Sequence, residues 1–252
     1  MLSHCIRRVL LPLAPHIEHL WIACGYLTRH WRNLILPDGA VEMIINLGDP
    51  QTLCALDDPN KRRVFRRAWI SGERLEPILI DEIGYVHLAG IRLRPGGGWP
   101  FLGIPMREFS GQVIELEDIL GQQISELRDR LGEETRDNAR FDLLEAWLRA
   151  RQRTSPTRAV NYVLRAIQDS AGLARIGQMA KEIGISHKHL LREFDRCVGL
   201  TPKVFSRLCA FQRVIQSVGY RMDAGLSSTT SKFNQSAAHK CQFSTIAPIA
   251  TR

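Results

Sequence analysis

The sequence predicts an α+β protein, with a β-rich N-terminal domain followed by an all-α C-terminal domain. Three observations carry that prediction. Short apolar runs broken by Pro, Gly and Asp fill the region from Leu10 to about Arg94. Apolar residues recur at helical spacing from Thr157 to Val218. Between them Arg149 to Thr157, rich in Arg and containing Pro156, reads as the main boundary. At 252 residues the chain is long enough for two domains with separate cores.

In the N-terminal half, Val41 to Asn46, Leu75 to Ile80 and Tyr85 to Leu93 read as strands. Turn residues bound them: Pro37-Asp38-Gly39, Gly48-Asp49-Pro50 and Pro95 to Gly98. Lys61, Arg62, Arg63, Arg66 and Arg67 form a basic run read as a solvated loop, with DNA contact as the alternative. Gly96-Gly97-Gly98 lacks the spacing of a phosphate loop and reads as a strand-to-helix turn.

His16, His19, His30 and His87 raise the question of a metal site. His16 and His19 lie three apart, but they follow a proline in a stretch that does not read as a helix, and no carboxylate cluster accompanies them. They read as surface or partly buried histidines. The six cysteines are scattered without a Cys-x-x-Cys pair, so no structural zinc is expected and the thiols read as reduced. No nucleophile constellation is visible. The expectation is a non-enzyme with no cofactor and no metal; the rival is an enzyme built on the β-rich half.

Residues 106 to 150 turn helical. Val113 to Leu120 and Phe141 to Leu148 are amphipathic, which suits packing within the chain or a dimer surface. Thr157 to Asp169 follows as a helix with Val160, Val163, Leu164 and Ile167 on one face. Ile176, Met179, Ala180 and Ile183 define the next buried stripe, which Gly184 ends. Ser186 is a ready N-cap for a second short helix, whose stripe is Leu190, Phe194, Cys197 and Val198 and whose end is Gly199. Two short helices around a Gly-Ile-Ser turn are the sequence form of a helix-turn-helix.

With Leu190 and Phe194 inward, Lys188, Leu191, Arg192 and Asp195 share another face. Two cations and a leucine suit guanine edges and thymine methyls in a major groove. The plainer alternative is a helical hairpin with a solvated outer face. Phe205 to Val218 reads as a further helix with Leu208, Phe211, Val214 and Ile215 inward. From Gly219 onward no helical stripe is sustained.

The net charge of +8 fits a polyanion partner. No run of eighteen apolar residues exists, so no membrane span is expected. His16, Glu18 and His19 interrupt the apolar stretch near the N-terminus, which does not read as a secretory signal. A cytoplasmic location is expected.

Ala180, Gly184, Ile185-Ser186, Leu190, Arg192, Phe194, Gly199 and Thr201-Pro202 resemble, in type and spacing, the first helix-turn-helix of the AraC/XylS family of transcriptional regulators. The resemblance implies that Lys188, Leu191 and Arg192 face the groove and that Thr201 to Lys203 lie near phosphates. The expected DNA-binding set is Ser186, Lys188, Leu191, Arg192, Arg196, Thr201 and Lys203. Pro15 to Trp21, Leu36 to Glu42 and Gly90 to Gly96 resemble the N-terminal sensor-type domain of one AraC-like subgroup. That implies an effector or oligomerisation module, hence a small-molecule effector and a homodimer as expected partners beside double-stranded DNA.

Family members carry a second helix-turn-helix. Here only Phe233 to Ser236 echoes it, so the second head is either degenerate or replaced by a change of reading frame. The expected layout is a sensor-type domain at 1–105, a helical linker at 106–155, the first head with its connecting helix at 156–218, and a degenerate tail at 219–252. The expected function is sequence-specific, effector-modulated regulation of transcription. The alternative is a sensor or interaction protein that has lost specific DNA binding through its damaged C-terminus.

Overall fold

The computed structural model describes residues 2–56, 58, 61–153, 155–225 and 245–246. The chain is α+β, as the apolar patterning requires: one antiparallel sheet, then a helical unit. Most of the tail expected from Gly219 lies outside the described residues.

Every strand pairing in the sheet is antiparallel, and one long strand organises it. The strands are β1 (Ser3–Arg7), β2 (Ile17–Ile35), β3 (Val41–Asn46), β4 (Gln51–Cys54), β5 (Arg62–Phe65), β6 (Ala68–Ser71), β7 (Ile78–Leu93), β8 (Val113–Glu115) and β9 (Thr245–Ile246). Along one edge β7 pairs with β2 from Leu93 opposite Ile17 to Ile78 opposite Ile35. Its other edge is divided between β3, which takes residues 88–93, and β4, which takes residues 79–81. The remaining strands extend outward, giving the order β1-β2-β7-β3-β6-β8, with β5 on β4 and β9 on the far end of β2.

Two strands were expected where β7 is one. Gly84, at φ +84°, takes up a bend that any other residue would resist; the register with β2 shifts there, between Leu27 and Trp31, and pairing then resumes to Ile78. The basic run is not a loop throughout: Arg62 and Arg63 lie in β5, where Arg63 donates to the Val113 carbonyl at 2.6 Å. Val113 to Glu115, expected as the start of a helix, is instead β8, paired with β6. Its β-branched Val113 and Ile114 fill an open sheet edge, and the helical pattern survives only in α2 (Glu117–Leu120).

The period of two sorts side chains between the faces. Leu20 and Ile22, Met43 and Ile45, Ala68 and Ile70, Ala89 and Ile91 point to one face. Trp21, Trp69, Val86 and Leu88, which alternate with them, form a smaller cluster on the other. Gly90 lies under the Trp21 indole; a Cβ there would stand 1.9 Å from Trp21 Cε2. The larger face is covered by α1 (Trp99–Leu102), a 3-10 turn (Met106–Phe109), α2, α3 (Gln122–Glu133) and α4 (Asp137–Arg151). Phe101, Leu127, Leu131, Phe141, Leu144 and Leu148 are buried against the strands, so the segment 106–155 roofs the sheet.

The second unit comprises α5 (Arg158–Asp169), α6 (Ile176–Ile183), α7 (His187–Val198) and α8 (Pro202–Gly225). Val160, Val163, Leu164 and Ile167 are all buried, as are Met179 and Ala180, while Ile176 and Ile183 are partly buried. Leu190, Phe194, Cys197 and Val198 are fully enclosed. Along α8, Phe205 and Leu208 enter this core, but Phe211 and Val214, expected inward, are 40% and 57% exposed. The apolar spacing of α8 thus continues past the last partner that the described residues provide.

Leu190→Ala is expected to cost about 2–5 kcal/mol of stability, because the side chain is fully enclosed. Gly90→Ala must displace the Trp21 ring and is expected to cost about 1–3 kcal/mol. Urea melts followed by circular dichroism measure both; a loss below about 0.5 kcal/mol at either site would contradict the packing described.

Candidate nucleic-acid interface

The turn between α6 and α7 is closed at both ends. Gly184 ends α6 in the left-handed conformation, and Ile185 N–H bonds back to the Ala180 carbonyl at 3.1 Å. Ser186 caps α7, its Oγ accepting from His189 N–H at 3.2 Å. These contacts, with the buried Leu190 and Phe194, fix which side of α7 faces out.

The expected residues fall into three places. Ser186, Lys188 and Arg192 are exposed and Leu191 is partly exposed, together on the N-terminal part of α7. Arg192 is not free there: its guanidinium donates to His189 Nδ1 at 3.1 Å. Thr201 and Lys203 are exposed at the start of α8, where Thr201 Oγ1 accepts from Val204 N–H at 3.3 Å. The amide end of α8 beside them carries a partial positive charge suited to a phosphate.

Arg196 is placed apart. It donates to Glu193 at 2.6 Å, and its guanidinium lies over the Trp99 ring, 4.6 Å from the centroid. Asp195, which helical spacing puts beside Arg192, pairs with Arg107 of the 3-10 turn at 3.4 Å. The last turn of α7 therefore faces the β-rich half and its first turns face solvent. Exposed His187 and His189 belong to the open part of the helix and were missed in the sequence. Their only signal is position: the first turn of a helix that starts at the surface exposes side chains all round.

Beside the Asp195–Arg107 pair and the Arg196–Trp99 stack, two further contacts join the halves at their seam. At the first, Gly199 ends α7 at φ +83° against the Met106 carbonyl, with Glu73 beside it. At the second, Gly39 lies against Leu208 and Phe205 of α8, and Gln212 donates to the Pro37 carbonyl. The loop holding Pro37 to Ala40 is tied down by Arg92, which reaches Glu42 at 3.0 Å, Glu18 at 3.2 Å and Asp38. Burial pushes the Glu42 carboxyl up more than Arg92 lowers it, because Asp38 and Glu18 crowd the same guanidinium. Burial pushes the Cys197 thiol up to about 11, which fits its reading as a small core residue.

The histidines stand apart from one another. His16 is buried with Nε2 3.1 Å from Ser155 Oγ, His30 meets Asp81 at 2.9 Å, and His87 Nδ1 lies 3.2 Å from the Tyr85 hydroxyl. Among the described residues no group of three or more His, Cys, Asp or Glu could hold a metal ion. No helix among them is long and apolar enough to cross a membrane. A wide-open hollow of about 640 Å³ lies between β1 and α4 and is lined by Cys5, Arg7, Asn138 and Phe141 among others.

A family model described as a domain of unknown function, DUF6597, matches residues 10–115, less than half of the chain. No curated protein matches the sequence. Three solved structures resemble it at low identity. ToxT from Vibrio cholerae is 8% identical, with 82% of this chain and 98% of that chain covered, at a TM-score of 0.26. The AraC-like transcriptional activator CuxR is 12% identical, with 86% of each chain covered, at a TM-score of 0.27. The Cupin_2 domain of an XRE family transcriptional regulator from Enterobacter cloacae is 8% identical over 36% of this chain and 97% of that chain, at a TM-score of 0.27.

Proposed function

We propose that this chain is a DNA-binding transcriptional regulator of the AraC type, which inserts the N-terminal part of α7 into a major groove. The observation that carries the reading is the split of α7. Leu190, Phe194 and Cys197 are enclosed, while Lys188 and Arg192, one turn apart, stand exposed with Leu191 between them. Arg192 and Lys188 meet base edges or clamp the backbone, and Leu191 makes apolar contact with a base. Thr201, Lys203 and the amide end of α8 meet phosphates and set the register. Arg196 reaches a phosphate only by leaving Trp99 and Glu193. The β-rich half acts as an effector or dimerisation module, and the seam at Glu73 and Pro37 is its route to the head.

Arg192→Ala is expected to weaken specific DNA binding by about 1–3 kcal/mol without changing the melt. Lys203→Ala is expected to weaken binding to all sequences alike and to lower the slope of log affinity against log salt by about 1. A fluorescence-anisotropy titration across salt concentrations measures both. Unchanged affinity in a folded Arg192→Ala protein would refute the assignment of the reading face.

A further inference from the structure

Glu73 stands in the loop after β6 and is only 1% exposed. Neither carboxyl oxygen has a hydrogen-bond partner among the described residues. Oε2 occupies the space where a Gly199 side chain would begin, 2.7 Å from that Cβ position. A buried acid with nothing to bond is costly when charged, and the cost is raised by its neighbour. Gly199 ends α7, and the carbonyl end of a helix carries partial negative charge.

Three arginines lie on the elements around it and none donates to its carboxyl, although Arg74 Nη2 and Arg196 Nε have no hydrogen-bond partner among the described residues. On the 3-10 turn, Arg107 pairs with Glu108 and Asp195. On α7, Arg196 pairs with Glu193. On its own loop, Arg74 donates to Ser71 and is drawn toward Asp38. None of these supplies a counter-charge to Glu73.

We propose that Glu73 is a proton-operated latch: as a neutral acid it seats the C-terminal cap of α7 on the β-rich half, and as a carboxylate it expels it. The latch works within the chain and holds whether or not α7 reads DNA. Burial pushes the seated carboxyl up from 4.5 to about 8. In the undocked form the group is open to water and ionises in the ordinary range. Seating is thus strongest below the ordinary value, weakens about tenfold per pH unit up to about 8, and changes no further above it. Near neutral pH the seated acid is still protonated, so a small rise in pH shifts the balance toward release.

Hydrogen exchange of the full chain, resolved to peptides covering residues 106–112 and 194–200, tests this. Exchange in β4, which among the described residues pairs only with β5 and β7, serves as the internal reference for the intrinsic pH dependence. Relative to β4, protection of both seam peptides is expected to fall about tenfold per unit between pH 6 and pH 8. Glu73→Gln, neutral at every pH, is expected to remove that slope, and Arg107→Ala to lower protection while keeping it. A flat ratio in the unaltered chain overturns the latch, as does an unchanged slope in a Glu73→Gln protein whose melt shows it folded.

Discussion

The arrangement depends on one buried guanidinium. Arg92 sits near the end of β7 with its side chain 11% exposed and gathers Glu18 of β2, Glu42 of β3 and Asp38 of the loop between them. An arginine can hold several carboxylates at once because its donors spread in a planar fork. Removing Arg92 would leave Glu42, the most enclosed of the three acids, without its counter-charge. The same knot fixes the loop from Pro37 to Ala40, which is the surface that receives Phe205, Leu208 and Gln212 of α8. Without it the helical unit would lose one of its two seats.

The second seat lies at the end of α7, and it divides that helix between two tasks. Asp195, Arg196 and Gly199 face the β-rich half, while Lys188 and Arg192 face away. The two sets lie from about one to about three turns apart, on a helix whose core side is enclosed.

The open part of α7 is itself organised. His189 accepts from Arg192 through Nδ1, which requires that nitrogen to be unprotonated and holds the guanidinium close to the helix surface. The Ser186 cap engages the amide of the same histidine. One short stretch thus sets the start of the helix, the position of His189 and the direction of Arg192.

Local order was legible in the sequence, and long-range order was not. The bounds of β3, the four buried residues of α5, the Ser186 cap and the enclosed stripe of α7 follow from spacing and cap chemistry, which act within one or two turns. So did the outward direction of Lys188 and Arg192, because it is the complement of a buried stripe. Val113 and Ile114 read as the start of a helix because the edge of β6 that claims them lies more than forty residues away. Phe211 and Val214 keep a helical spacing that nothing among the described residues covers. The place of Arg196 could not be read at all, since the Trp99 ring that captures it is distant in sequence and close only once the sheet is roofed. The sequence by itself determined the fold class, the caps and the exposed cations, through contacts between near neighbours. Only the tertiary structure decided which end of α7 is free, because that depends on a buried acid, a left-handed glycine and a loop that meet across the seam.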